Sequence, residues 1–223
     1  MITHAGKKQD RRAAPDQLIA PNASLTELRA QAQLCRGCDI WQRATQVVFG
    51  EGEPHSEVML VGEQPGNSED LEGRPFVGPA GRLLDEALAR AGIMRDRVYV
   101  TNIVKHFNSI RRGKLRIHKK PNAQEIAACR PWLDAEIRAV KPKAIVCLGA
   151  TAAQALISRK FLVSQQRGEL LKSTLAPLIT ATVHPSSILR APDAESRHVE
   201  MDRFVADLKK IARHLPSSVL KGE

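Results

Sequence analysis

The feature that most constrains this chain is the run Val58-Met59-Leu60-Val61-Gly62-Glu63-Gln64-Pro65-Gly66. An apolar stretch without alternation suits a strand buried on both faces, as in a parallel sheet. Gly62, Pro65 and Gly66 then force a sharp turn, which leaves Glu63 and Gln64 at the carboxyl edge of the strand. In open α/β sheets that edge is where ligands bind. Taken alone, the segment is equally well explained as a strand-to-loop turn with two solvated polar residues.

The rest of the chain repeats the pattern. Strands are expected over 97–104, 143–149 and 178–183, and each is followed by polar or glycine-containing sequence. Helices are expected between them: one from Leu83 to about Gly92, one from Pro121-Asn122 to Val140 with Glu125 in its first turn, and one after Thr151. A terminal helix from about Ala194 to His214 carries Val199, Phe204, Leu208 and Ile211 as its inner face. Such alternation over 223 residues implies one α/β domain with a mainly parallel sheet. Three strand ends present chemistry: Glu63-Gln64 after the first, Asn102 near the end of the second, and His184-Pro185-Ser186-Ser187 after the last. Asn102 offers both a donor and an acceptor, the pair needed to read a pyrimidine edge. Asn67 to Gly81 is expected as a shaped loop, with Phe76 either stacking on a flat ligand or plugging the core.

Charge narrows the partner. The formal net charge is +10, which favours a polyanion, either nucleic acid or an anionic membrane surface. No apolar run is long enough to span a bilayer and no signal-peptide core opens the chain, so a soluble, cytoplasmic protein without a membrane partner is expected. Lys105 to Lys120 holds seven Lys or Arg residues, His106 and His118, and no acid. Lying next to Asn102, this segment is read as a phosphate-gripping loop, with a solvated charge run as the simpler alternative. Residues 1–22 are polar and basic and are expected as a flexible arm, with the domain over 23–214 and a tail over 215–223.

There are four cysteines. Ser24 and Glu27 form a capping box opening a helix that delivers Cys35-Arg36-Gly37-Cys38 at its end. In a reducing compartment such a pair is more often metal-binding or redox-active than a disulfide, and redox pairs usually open a helix instead of closing one. Cys129 lies on the helix after Asn122, whereas Cys147 sits inside an apolar strand, where a thiol serves as a small core residue.

Four segments carry a resemblance in the same order: Gly62-Glu63-Gln64-Pro65-Gly66, Gly73-Arg74-Pro75-Phe76-Val77-Gly78, Ala128-Cys129-Arg130-Pro131-Trp132 and His184-Pro185-Ser186-Ser187. Over about residues 24–213 the chain resembles the uracil-DNA glycosylase superfamily, specifically its iron-sulfur family 4 and the UdgX-type relatives. The resemblance implies a single-domain three-layer α/β/α sandwich. Two departures from family 4 point to the UdgX type: Gln64 where family 4 typically has Ala, and a longer loop holding Lys114-Leu115-Arg116-Ile117-His118. The usual UdgX loop is Lys-Arg-Arg-Ile-His, so Leu115 departs from it.

The resemblance implies a 4Fe-4S cluster on Cys35, Cys38, His106 and Cys129, with His106 standing where family 4 has a cysteine. Zinc on the same residues is the alternative on ligand chemistry. It also implies uracil-containing DNA, single-stranded or mispaired, as partner of a monomer. Phe76 would stack on a flipped uracil beside Gly62, and Asn102 would read its edge. His184 would stabilise the uracil anion, with Glu63 and Gln64 arranging the sugar side. Lys105, Lys114, Arg116, Ser186 and Arg190 would hold DNA, and His118 would attack C1′ and leave a covalent adduct. The competing expectations are a conventional family 4 glycosylase that releases free abasic DNA, and a non-catalytic iron-sulfur DNA-binding or redox protein. A dinucleotide-binding fold is disfavoured, since no G-x-G-x-x-G follows the first strand.

Overall fold

The computed structural model describes residues 13–220. Its elements in chain order are α1 (Pro15–Leu18), α2 (Leu25–Ala32), β1 (Val58–Gly62), α3 (Asn67–Glu72), α4 (Pro79–Arg90), β2 (Val98–Asn102), β3 (Ser109–Arg112) and β4 (Leu115–His118). They continue with α5 (Ala123–Val140), β5 (Ala144–Leu148), α6 (Ala150–Leu156), α7 (Val163–Gln166), β6 (Leu178–Thr182), α8 (Pro185–Leu189) and α9 (Ala194–Ala212). Four strands pair in parallel in the order β2-β1-β5-β6.

Strand periodicity divides the core into two layers. Met59, Val61, Tyr99, Ile145, Cys147 and Ile179 face one way, onto residues of α2, α5 and α6. Val58, Leu60, Val98, Val100, Val146 and Leu148 face the other, onto α4, α8 and α9. The result is the three-layer α/β/α sandwich with a central parallel sheet. Cys147 is fully buried in the first layer, where burial raises its thiol pKa far above the ordinary range, as befits a core residue.

The strand order sets the position of the site. From β1 the chain passes to β2 on one side and then crosses to β5 on the other, so the loops leaving β1 and β5 diverge. This is a topological switch point, and it opens a crevice at the carboxyl ends of those two strands.

Several boundaries differ from expectation. Residues 13–22 belong to the body: Pro15 is buried, and the Arg36 amide donates to the Ala13 carbonyl at 2.8 Å. The remainder of the expected arm, 1–12, lies outside the described residues. At the other end, Met94 N–H donates to Val219 O and Leu220 bridges Ile93, so the chain stays packed beyond 214. The loop expected after β1 contains α3, whose Glu69 accepts the amides of Gly66 and Gly78 and so draws both ends of the segment together. The basic loop is an antiparallel ribbon, β3–β4, separate from the main sheet. Val199 faces solvent, and Met201, Phe204, Val205, Leu208 and Ile211 form the inner face of α9.

Candidate active site

A cleft of about 560 Å³ lies at the switch point. Its lining includes Glu63 and Gln64 after β1, Asn102 at the end of β2, Phe76, Thr151 after β5, His184 after β6, and His118 at the end of β4. Residues expected from five separate stretches of sequence therefore converge on one cavity. Ser186, Arg190 and Lys120 complete its rim.

Glu63 is the electrostatic centre. Its Oε1 stands 3.2 Å from His118 Nε2, and its other oxygen accepts a hydrogen bond from Thr151 Oγ1. Burial, the largest single influence, would raise its pKa. Hydrogen bonds from His118 and Thr151, with the nearby charge of His118 and Lys120, outweigh it, and the carboxyl titrates below the ordinary glutamate value. Glu63 is thus a carboxylate at neutral pH. Thr151 escaped the sequence reading; its place just past a glycine at a strand end was the signal available.

His184 caps α8. The Ser186 amide donates to its Nδ1 at 3.1 Å, and Ser186 Oγ lies 2.8 Å from the same nitrogen. A nitrogen that accepts from a backbone N–H carries no proton, so in the neutral ring the hydrogen is on Nε2. Burial, assisted by the charge of Arg190, lowers the pKa to about 4 against the opposing influence of Glu63. At neutral pH His184 is therefore an uncharged ring with a single N–H donor. Ser186, expected as a DNA contact, holds this tautomer.

The base-recognition residues are packed around a glycine. Phe76 lies stacked near His184, with ring centroids 6.2 Å apart at 28°. A Cβ at Gly62 would fall 2.3 Å from Asn102 Oδ1 and 2.9 Å from Phe76 Cζ, so only glycine lets both side chains close on the strand end. Phe76 has φ 57, a left-handed conformation uncommon for a bulky residue. A Cβ at Gly81 would meet its carbonyl oxygen at 1.6 Å, so that glycine permits the turn.

Gln64 does different work from a catalytic group. Its Nε2 donates to the carbonyls of Lys119 at 3.1 Å and Asn108 at 3.3 Å, and its Oε1 accepts the Asn108 amide at 3.2 Å. These residues flank the β3–β4 ribbon, so Gln64 fastens both of its ends beside Glu63. The ribbon pairs Ser109 with His118 and Arg111 with Arg116, which places His118 and Arg116 on one face.

Two expected DNA contacts are corrected. Lys105 is 1% exposed, and its Nζ donates to Glu136, Thr101 Oγ1 and the Asn102 carbonyl, so it is an internal cation that cannot reach a phosphate. Arg116 bonds Asp70, Asn67 and Thr45 and lies over the Phe107 ring; its charge is spent on a fully buried carboxylate. Lys114 and Arg190 are exposed and remain available.

The cysteine region lies in the layer of α2 and α5, where Cys35 and Cys129 join the core cluster of Leu28, Tyr99 and Trp132. Cys35, Cys129 and His106 are buried, Cys38 is half-buried, and none of the cysteines is in a disulfide. The Cys129 thiol, driven up to about 12 by burial, also feels Cys38 and Cys35, and its sulfur accepts the Lys105 amide at 3.3 Å. Burial and Arg36 lower the His106 pKa to about 4, leaving a neutral imidazole of the form that ligates metals. Among the described residues no three such donors are gathered tightly enough to hold a single metal ion.

A family model described as the uracil DNA glycosylase superfamily matches residues 49–209, a span that begins just before β1 and ends within α9. The chain belongs to the uracil-DNA glycosylase superfamily. Among curated relatives it is similar to type-4 uracil-DNA glycosylases from three organisms. Identity is 37% to that of Pyrobaculum aerophilum, over 75% of this chain and 86% of the relative. It is 33% to that of Archaeoglobus fulgidus, over 84% and 92%. For that of Sulfurisphaera tokodaii identity is 41% over 61% of this chain, and the match spans 59% of the relative's length. The superfamily match encloses Glu63, Gln64, Phe76, Asn102, His118, Thr151 and His184.

Proposed function

We propose that this protein excises uracil from DNA and that His118 then captures the abasic sugar as a covalent adduct. The observation that carries the second part is the 3.2 Å contact between His118 Nε2 and Glu63 Oε1 inside the cleft. A histidine in a basic run is ordinarily a solvated surface group. This one is paired with the carboxylate best placed to face a reacting sugar.

A uracil that is single-stranded or mispaired leaves the stack at least cost and enters the cleft as substrate of a monomeric enzyme. Phe76 stacks on the base, and the amide of Asn102 pairs with its edge. The Nε2–H of neutral His184 donates to the uracil O2, where negative charge grows as the C1′–N1 bond breaks. A positively charged imidazole would have to be desolvated in the cleft, whereas the neutral donor is already in place. The Glu63 carboxylate opposes the positive charge developing on the sugar.

Capture follows from the same pair. A ring nitrogen of His118 bonds C1′ as the C1′–N1 bond breaks; the bonding electrons leave with uracil as its anion, and the imidazole N–H proton passes to Glu63. The ribbon fastened by Gln64 holds the ring at hand, so attack gains the advantage of an oriented pair.

Cys35, Cys38, His106 and Cys129 are the residues that would hold a 4Fe-4S cluster. The donor chemistry fits: three free thiols, two of them buried, within electrostatic reach of one another, a neutral imidazole and an N–H directed at sulfur. Zinc on the same three cysteines and one histidine is the alternative that their ligand chemistry supports. When bound, the cluster would tie the segment after α2 to α5 and the end of β2 and would supply structure, not a chemical step.

The second reading is a conventional glycosylase in which water completes the reaction, and similarity to type-4 relatives supports it as well. Incubation with end-labelled single-stranded DNA containing one uracil, followed by a denaturing gel, separates the two. Capture gives a uracil-dependent band retarded by one protein mass, lost in His118→Ser while uracil release persists. Abasic product without that band identifies the conventional enzyme, and neither product refutes both.

A further inference from the structure

The β3–β4 ribbon has two faces, and the cleft uses only one. Cross-strand pairing puts Ile110 opposite Ile117 and Arg112 opposite Leu115 on the face turned away from His118 and Arg116. On that outer face Leu115 is 70% exposed and Ile110 51%. Both are β-ribbon positions where a polar residue would cost nothing in packing. Exposed cations share that face or its turn: Arg112 beside Leu115, Lys114 in the turn, and Lys119 two residues past Ile117. From Ile103 to Gln124 the sequence contains no acid that would offset this charge.

From the juxtaposition of this apolar face with its cationic rim, on the ribbon whose other face carries His118 into the cleft, we infer that the ribbon is a wedge that packs Ile110 and Leu115 against the bases flanking an extruded uracil. The inference rests on the proposed uracil excision. Charge complementarity selects the occupant: phosphates satisfy the rim while unstacked bases, apolar on their faces, cover the aliphatic side chains. Position supports it, because His118, at the end of the same ribbon, touches Glu63 within the cleft. A base pulled into that cleft leaves its neighbours unstacked beside this ribbon. Leu115 opens β4 next to the Gly113 turn, at the end of the ribbon opposite the residues that Gln64 staples.

The test uses a duplex with a single U·G mispair and 2-aminopurine next to the uracil, alongside the same uracil strand unpaired. Uracil release from the single strand by the unaltered protein establishes the underlying activity independently. On the duplex the unaltered protein raises 2-aminopurine fluorescence. In the double variant Ile110→Ser/Leu115→Ser that rise is lost and release from the duplex slows about tenfold or more. Release from the single strand, which has no stack to open, changes less than about threefold. Leu115→Met, which keeps an apolar side chain, retains the rise. The wedge is refuted if the unaltered protein releases single-stranded uracil without raising duplex fluorescence, if the double variant still unstacks the duplex, or if both substrates slow equally. A dimer that the double variant converts to monomer would also refute it and assign the face to a second copy of the chain.

Discussion

Replacing Lys105 by methionine tests whether the cation beside Asn102 is structural. Its ammonium has three hydrogens and three acceptors: the Thr101 hydroxyl and the Asn102 carbonyl, each at 2.7 Å, and a carboxylate oxygen of Glu136. Glu136 is itself fully buried and accepts from Tyr99 OH at 2.9 Å, the Gly50 amide at 3.0 Å and Thr101. Methionine fills the same space but leaves that carboxylate inside the core with neutral donors alone. Breaking a buried pair from one side costs about 3–5 kcal/mol, because the remaining charge is no longer compensated. For a chain of this size that is a fall in Tm of about 6–20 °C.

The comparison that isolates the cause is the double variant Lys105→Met/Glu136→Gln. Glutamine retains an acceptor for Tyr99 and Gly50 but removes the orphaned charge, and it should recover about half of the loss. Glu51→Gln, at the exposed Arg74–Glu51 pair, should cost less than about 1 kcal/mol. Urea and thermal unfolding of the purified protein give all these values. A cost below about 1 kcal/mol for Lys105→Met, or a double variant no more stable than the single one, would refute a charge-compensating role for Lys105. A DNA contact at Lys105 would instead appear as a salt dependence of binding reduced by about one phosphate equivalent.

Gln64→Ala removes the staples at both ends of the ribbon, about 3 kcal/mol for three neutral hydrogen bonds; amide exchange in β3–β4 should accelerate about 150-fold while the main sheet is unchanged. Gly62→Ala should slow single-turnover uracil release by about a hundredfold or more, since the added carbon displaces Asn102 and Phe76 at the reading edge, at a cost in stability of about 1–3 kcal/mol. His184 has a folded pKa of about 4 against about 6.5 when unfolded, so the unfolded chain binds its proton first. Its contribution is complete above pH 6.5 and is lost as pH falls from there to 4, by up to about 3 kcal/mol. The Tm of wild type should therefore fall more steeply over that range than the Tm of His184→Asn.

The sheet is legible in the sequence because its strands are apolar runs ended by glycine, proline or a polar residue, and backbone turning fixes where those residues stand. The same logic locates Glu63, Asn102 and His184, each at a strand end or just past it. Lys105 is misplaced by sequence because it stands at the head of a cationic run. Its partner Glu136 lies 31 residues away, and only the packing of α5 against β2 brings them together. Arg116 is misplaced for the same reason, since Asp70 reaches it from α3. The ribbon reads as a loop because a Gly113 turn within a basic run gives no apolar alternation on both strands. His118 stands out by resemblance alone. Its contact with Glu63 is a consequence of tertiary staples that no local pattern announces.

Those staples divide the site into two parts with different supports. Glu63, Asn102 and His184 ride on the ends of strands buried on both faces, so their positions share the stability of the whole sheet. His118 rides on a two-stranded ribbon, a unit that is marginal on its own in water. What holds it is polar: Gln64 to the Asn108 and Lys119 backbones, Arg116 to Asp70, and Arg43 to Asn108 at 3.2 Å. Removing one such group shifts the ribbon without opening the core. On the proposed mechanism, the geometry for breaking the glycosidic bond is thus separable from the geometry for capturing the abasic sugar. Under the proposed capture, a single change at Gln64 would cost the adduct and spare excision, whereas any change that ends excision ends capture as well, because His118 bonds C1′ only as the glycosidic bond breaks.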